Sequence, residues 1–383
     1  MAPDTAPPRV LHSGYHPEVG GGYTDLLLRV DGRRQAIGVG NNPVMFVDSP
    51  RCSERARIEL DDAVSNCRVL GPGSVSYTDL ALAPLTASAG IRRMANFAAE
   101  HRVDVLHANT FRAGLVCAVL SLLADYEFVM HVHHPALSVQ NPRLRRFIFG
   151  AADEIIHVSD YTRRLFDGDG NSHRIIRSPI DIEKLENTLT DPERLRTEFD
   201  VGDDLVVSLV ARMAPNKGHR NFLRAAESIA EDHPDVTFLV VGGGGDSYRQ
   251  ELREEFDVEG GNVVFTGFVE SIESLYELTD IVAVPSRDDN LPKVIQEALV
   301  FDCAVVASDT GGIPELVADG ETGLLVPELD DGTALADAIE RLVNDSELRE
   351  RLRDAGYERL RAEFDTPVVV EDFEALYAEI LSS

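Results

Sequence analysis

PSRDDNLPKVIQEAL fills residues 285–299, and TGGIPE follows at 310–315. The first stretch leaves an apolar run, IVAV at 281–284, and enters a segment whose Val294, Ile295, Ala298 and Leu299 lie on one helical stripe. The second is a Gly-rich turn that follows another apolar run, AVVA at 304–307, and opens a further helix. Short apolar strands leading through turns into helices are the pattern of parallel α/β layers. The same stretch sets Asp289 and Glu297 eight positions apart. An ionised carboxylate only accepts hydrogen bonds, which suits the hydroxyls of a sugar or a ribose. Exposed N–H groups at a helix start suit a phosphate or a sugar oxygen. A nucleotide sugar needs both in one place.

Outward from this stretch the alternation continues. Runs at Leu205–Val210, Thr237–Val241, Val263–Phe265, Ile281–Val284 and Ala304–Ala307 each lead into a turn and a helix. After Gly218, Phe222, Ala225, Ala226 and Ile229 form one stripe. In open parallel sheets ligands bind beyond the carboxyl ends of the strands. Arg212, Gly242–Gly245 (Gly243 among them), Gly267, Ser286–Asn290 and Asp309–Gly312 all fall at such ends. In the first half, strands are expected at Arg9–His12, Val103–His107, Phe128–Val132 and Glu154–Val158, while residues 24–90 give no clear strand order. Composition turns polar around 178–191, which marks a linker. The expected domains are 1–180 and 181–365, followed by an amphipathic helix at 366–383 that can pack back on the first domain. Its stripe is Phe373, Leu376, Tyr377 and Ile380.

At 383 residues the chain is long enough for two domains of ordinary size. The formal charge is −30. Residues 1–180 hold 19 Arg, no Lys and 19 Asp plus Glu, so the whole excess lies in 181–383, with 17 basic and 47 acidic residues. Such a surface suits a salt-loaded cytoplasm, where ions screen self-repulsion, and the reading is of an acidic, halophilic protein. Nucleic acid is excluded as a partner by charge. Four scattered cysteines without a CxxC pair argue against a disulfide framework or zinc site. No apolar run reaches the length of a membrane span and the N-terminus lacks a signal-peptide pattern, so a cytoplasmic location is expected.

VARMAPNKGH at 210–219 sets Arg212 after a strand and Lys217 before a helix. Two cations beside a helix start form a diphosphate site and balance charge on a departing nucleotide, although Arg and Lys are also common in plain exposed turns. Glu297 taken alone reads equally as an i,i+4 surface partner of Lys293.

The order VARMAPNKG, FLVVGGG, VVFTGFV, DIVAVPSRDDNLPKVIQEAL and VVASDTGGIPELVADGETGLLVP resembles the retaining glycosyltransferases of family 4. The resemblance is close over 205–327 and weak elsewhere. It implies a GT-B fold, two Rossmann-like α/β domains facing across a central cleft. It further implies that Arg212 and Lys217 contact a donor diphosphate. Of the Glu-x7-Glu pair, here Asp289 and Glu297, the first lies near the transferred sugar and the second binds ribose hydroxyls. Asn290 and Leu291 lie beside Asp289, and Gly311 and Gly312 form the turn near the donor. Two departures bear on the donor sugar: Asp289 is one methylene shorter than Glu, and Asn290 stands where the family has Gly.

The first half is similar to the acceptor domain more loosely. Gly20–Gly22 stands where the family has a glycine loop near the donor phosphates, so Gly21 and Gly22 are candidates, with a flexible loop as the rival reading. VDVLHANTF and FVMHVHHP bring His107, Asn109, His133 and His134 to strand ends, and His133 matches a family His near the sugar being transferred. Metal binding by His131, His133 and His134 is the alternative. Arg143, Arg145 and Arg146, interleaved with Leu144, Phe147 and Ile148, suit an anionic acceptor or a lipid headgroup surface, or a solvated helix face. DGDGN at 167–171 looks like a metal motif, but Ser178 falls where a calcium loop needs Glu, so it reads as a loop. The expected activity is sugar transfer from a UDP- or GDP-linked donor to a glycan, lipid-linked or small-molecule acceptor, with His133, Asp289, Arg212 and Lys217 at the reaction and no metal or cofactor. A UDP-sugar 2-epimerase on the same fold and a non-catalytic nucleotide-sugar-binding scaffold are the alternatives.

Overall fold

The computed structural model describes residues 7–14, 28–29, 31–33, 35, 44–47, 67–70, 84–133, 142–166, 172–256, 262–327 and 332–383. The chain divides into two compact units, residues 1–179 with 366–383 and residues 180–365.

Among the described residues the first unit holds seven strands: β1 (Val10–Gly14), β2 (Val44–Val47), β3 (Cys67–Leu70), β4 (Val105–Ala108), β5 (Glu127–Val132), β6 (Glu154–His157) and β7 (Ser172–Ile175). They form one all-parallel sheet in the order β3-β2-β1-β4-β5-β6-β7. The strands read from sequence are present within one or two residues at each end. The order reverses between β1 and β4, which opens a crevice at their carboxyl ends.

Side chains alternate between the faces of this sheet. Leu11, Leu106, Phe128 and Met130 face a core built with the helices Pro84–Glu100 and Phe111–Leu123. On the other face Val10, Val105, Val129 and Ile156 pack against Val369, Phe373, Leu376, Tyr377 and Ile380 of the helix Thr366–Ile380. The i, i+3, i+4, i+7 stripe of that helix thus closes the core of the first unit.

The second unit repeats the design with β8 (Leu205–Val210), β9 (Val236–Val241), β10 (Val263–Gly267), β11 (Ile281–Val284), β12 (Ala304–Ser308) and β13 (Leu324–Val326). The order is β10-β9-β8-β11-β12-β13, all parallel, with its reversal between β8 and β11. Both faces are covered, which is why these strands read as near-continuous apolar runs, and buried Ser208 of β8 finds a partner in Thr279 Oγ1 at 2.8 Å. Val207, Leu209, Phe238 and Val240 face one core with Phe222, Ala225, Ala226 and Ile229 of the helix His219–Ala230. Val206, Leu239 and Val241 face another with Leu195, Leu275 and Leu278. Among the described residues no helix is long and apolar enough to cross a membrane.

Candidate active site

In the second unit the reversal of strand order brings two loops together. One leaves β8 as Ala211–Gly218, and the other leaves β11 as Pro285–Pro292. They are stitched by Arg287 N donating to Asn216 O at 2.9 Å. Gly218 is required at the crossing: its φ is +75°, and a Cβ there would stand 1.9 Å from Pro285 O.

Lys217 Nζ donates to Asp289 Oδ2 at 2.5 Å. Ser286 Oγ donates to the same oxygen at 3.2 Å, and Asn290 N faces Oδ1 at 3.3 Å. The two charged side chains are only 23% and 17% exposed, so they neutralise each other in a partly dry setting while keeping one side open. Arg212 stands on the same loop, exposed, with no hydrogen bond or ion pair to another described residue. His219, the first residue of the helix that follows this loop, is fully buried. Burial and the charge of Lys217 pull its pKa down to about 4, against the carbonyls of Ala214 and Ala211, so the imidazole is neutral.

The TGG turn after β12 is folded onto the Asp289 loop. Gly312 N donates to Asp289 O at 3.0 Å, and Thr310 Oγ1 donates to Arg287 O at 3.2 Å. At Gly311, φ is +59° and a Cβ would lie 1.9 Å from Asp289 O, so backbone approaches backbone as closely as glycine allows. Asn290 and Leu291 are buried under this turn. Gly243, after β9, accepts from Met213 N at 3.2 Å and so joins the Arg212 loop. Arg212, Lys217, Gly243, Asp289, Asn290, Leu291, Gly311 and Gly312 thus belong to four loops at one sheet edge, the edge expected from sequence.

Glu297 sits one turn into the helix Lys293–Val300. It is not the surface partner of Lys293 that spacing allows. Tyr276 Oη, from the helix Ile272–Leu278, donates to Glu297 Oε2 at 2.8 Å. Burial raises the Glu297 pKa, while the phenol and the charge of Lys293 act to lower it. Tyr276 is fully buried, and nothing in the sequence around it marks it out. At the same carboxyl edge, a cavity of about 650 Å³ is lined by Thr190, Asp191, Phe268 and Ser271 among others, and Phe268 is 79% exposed.

The first unit carries a different kind of edge. His12, His107 and His131 lie on adjacent strands β1, β4 and β5, on the face of Val10, Val105 and Val129; His12 is level with His107, and His131 stands two residues past Val129, the partner of His107. All three are buried, and burial together with nearby charges, Arg29 foremost for His12 and His107 and His133 for His131, drives their pKa values well down, leaving them neutral. His107 Nδ1 meets Tyr377 Oη at 2.7 Å, and its Nε2 lies 3.3 Å from both Arg29 and His131 Nδ1. Arg29 donates to Asn109 Oδ1 at 2.5 Å. His133 Nε2 lies 3.5 Å from the same oxygen, with its ring stacked on His131 at 4.1 Å. The spacing of His131 and His133 did put both on one face. Arg29, Arg33 and His12 were not signalled by any motif.

Gly21, Gly22, His134 and the DGDGN loop lie outside the described residues. Among the described residues no three His, Cys, Asp or Glu side chains are grouped to hold a metal. Of the three arginines at 143–146, Arg143 and Arg146 are exposed, but Arg145 is half-buried with its guanidinium 5.6 Å from the Phe166 ring.

Comparison with known proteins agrees with this geometry. Residues 44–177 match the glycosyl transferase 4-like domain and residues 192–359 match the glycosyl transferases group 1 family. The alpha-D-kanosaminyltransferase of Streptomyces kanamyceticus is 31% identical over 212 residues, 54% of each chain. A D-inositol 3-phosphate glycosyltransferase of Corynebacterium urealyticum is 28% identical over 82% of this chain and 81% of its own. Among solved structures, Anabaena HepE in complex with UDP superposes with a TM-score of 0.79 at 23% identity, covering 98% of this chain and 99% of that one. Matched on both sides of its domain boundary and over the whole fold, the chain is a group 1 glycosyltransferase of the GT-B fold.

Proposed function

We propose that the chain transfers a glycosyl group, with retention of configuration, from a UDP- or GDP-linked donor to a glycan, lipid-linked or small-molecule acceptor. The observation that carries this reading is the convergence of Arg212, Lys217, Asp289 and the Gly311–Gly312 turn at the strand reversal of the second unit. In the reaction the anomeric bond to the diphosphate oxygen breaks and a bond to an acceptor hydroxyl oxygen forms. The hydroxyl proton leaves with the nucleoside diphosphate.

Arg212 and Lys217 hold the diphosphate and offset the charge that grows on it, the work a metal ion does elsewhere, so no metal or cofactor is needed. Lys217 has three N–H donors, so it can keep Asp289 while binding a phosphate oxygen. Asp289 and the glycine turn face the donor sugar, and Glu297 accepts from the ribose hydroxyls. His133, seated on His131 and tied to Asn109, serves near the reacting carbon. Gly21 and Gly22 would add backbone donors to the phosphates. The names of the relatives, a kanosaminyltransferase and an inositol-phosphate glycosyltransferase, support small-molecule acceptors as one class. A peripheral, cytoplasmic-face membrane contact through Arg143 and Arg146, with Phe147 beside them, belongs to the same proposal. It predicts weaker sedimentation with anionic vesicles when both arginines become Ala.

The test is thermal stabilisation by a panel of UDP- and GDP-sugars and bare nucleotides in molar KCl, for wild type and Glu297→Ala. Selective stabilisation by one donor, lost in Glu297→Ala, supports the reading. Binding without turnover across a broad acceptor panel points instead to a scaffold, and turnover with no acceptor points to an epimerase. No shift with any nucleotide in folded protein overturns it.

A further inference from the structure

We infer that Tyr276 is a positioning residue for donor recognition: its buried phenol holds the Glu297 carboxylate so that the remaining lone pairs meet the ribose diol. The inference rests on the donor-site reading above and adds a residue that no motif marks.

The geometry is specific. Tyr276 lies on the helix between β10 and β11, whereas Glu297 lies on the helix between β11 and β12. The two elements are joined at this point by Tyr276 Oη donating to Glu297 Oε2 at 2.8 Å. Among the described residues, no other group is hydrogen-bonded to the Glu297 side chain. The phenol cannot swing away. It is fully buried, its ring stacks on Phe301 at 6.0 Å and 13°, and its backbone carbonyl accepts from Thr279 N at 3.0 Å and from Cys303 Sγ at 3.3 Å.

A carboxylate offers about four lone-pair directions. Tyr276 occupies one, which sets the rotation of the group and leaves the other oxygen and one further direction for two vicinal hydroxyls. Without the phenol, the carboxylate would have to be oriented by the ligand itself, and the ordering cost would appear as lost affinity. Buried tyrosines commonly find a partner for their hydroxyl with no further consequence. The two roles differ in one respect. A purely structural bond stabilises the fold and is indifferent to the ribose, whereas a positioning bond is felt only by ligands that carry the diol.

The experiment measures dissociation constants for UDP, 2′-deoxy-UDP and 3′-deoxy-UDP, with the GDP series in parallel, in wild type, Tyr276→Phe, Glu297→Ala and the double variant. Melting without ligand establishes that each is folded. The expected result is about tenfold weaker binding of the intact nucleotide in Tyr276→Phe, the size of one lost charge-assisted interaction. The deoxy nucleotides should change by less than about twofold, and Tyr276→Phe should have no further effect in the Glu297→Ala background. An equal loss for ribo and deoxy nucleotides, or the same loss in both backgrounds, would assign Tyr276 a structural role only and overturn the inference. If Tyr276→Phe does not fold, Tyr276→Phe in Glu297→Ala, which has no buried carboxylate to leave unpartnered, is compared with Glu297→Ala: a remaining loss of nucleotide affinity there also overturns it. Failure of the donor-site reading looks different, because then neither nucleotide series binds wild type, or Glu297→Ala leaves binding unchanged.

Discussion

The two units of this protein use one architecture for opposite electrostatic ends. Each is an all-parallel sheet with a single reversal, between β1 and β4 in one and between β8 and β11 in the other. In the first unit the polar groups beside the reversal are sunk into the sheet face. His12, His107, His131, Arg29 and Arg33 are all at most 2% exposed and lie under the helix Thr366–Ile380. In the second they stand on loops at the edge, where Arg212 is exposed and Lys217 and Asp289 are open on one side. The charge follows a similar division, since the first unit, with residues 366–383, carries −4 and the second carries −26. The lesson is that depth decides the use of a polar group at a strand end. A neutral histidine cluster buried against Tyr377 locks a helix to a sheet, and a partly exposed ion pair on glycine-bound loops is available to a ligand.

Acid should break the comparison most strongly. His12, His107 and His131 are held neutral by burial and nearby positive charge, and His157 is lowered to about 3. In the unfolded chain a histidine binds its proton near pH 6.5, and in the folded unit it does not until far lower. The depressed folded values therefore contribute stability that is complete above pH 6.5 and is lost as pH falls toward them. Each histidine costs up to about 1.4 kcal/mol per pH unit in that window. Among the described residues the second unit has one such group, His219. Hydrogen exchange between pH 7.5 and 5 should show β1, β4 and β5 losing protection at higher pH than β8, β9 and β11. Equal loss in both units would show that the histidine cluster does not set the acid limit.

Lys217→Ala should cost a nucleotide-sugar complex about 2 kcal/mol, roughly 30-fold in affinity, as charge-assisted bonds to phosphate are lost. Isothermal titration checks this, and an unchanged constant would remove Lys217 from the donor site. Gly311→Ala sharpens the contrast between edge loops and sheet core. A side chain at φ +59° costs about 1–2 kcal/mol, and its Cβ would push on Asp289 O. The melting temperature of the second unit should fall, and nucleotide-sugar binding should weaken more than bare nucleotide binding. Last, raising KCl from 0.1 to 2 M should stabilise the second unit by about 1 kcal/mol more than the first, because the second carries −26 of the −30 and the first, with residues 366–383, only −4. Differential scanning calorimetry with the two transitions assigned by nucleotide would read this out.

Much of the architecture was legible in the chain. Strands such as Leu205–Val210 and Ile281–Val284 coincide end to end with their apolar runs, because a strand covered on both faces is apolar at nearly every position. The helix stripes at Phe222–Ile229 and Phe373–Ile380 face cores for the same reason. The edge residues were legible because glycine, cations and carboxylates concentrate after strands, where no packing demand explains them. Tyr276 was not. In LYEL at 275–278 it reads as one more apolar position, and only the packing of two helices brings its hydroxyl to Glu297. Arg29 was equally silent, since its contacts with His107 and Asn109 span about 80 residues of chain. Arg145 shows the converse: sequence grouped it with Arg143 and Arg146, and its neighbour Phe166 folds it inward.

The sequence by itself determined the class of fold, the strand and helix segments and the loops that bear unusual residues, because periodicity and turn chemistry act over a few positions. Only the tertiary structure decided which of those residues meet. Strand order, not spacing, places Lys217 against Asp289 across 72 positions, Tyr276 beneath Glu297 across 21, and Tyr377 on His107 across 270. Contacts of that range depend on how the whole sheet is assembled, and no local pattern encodes them.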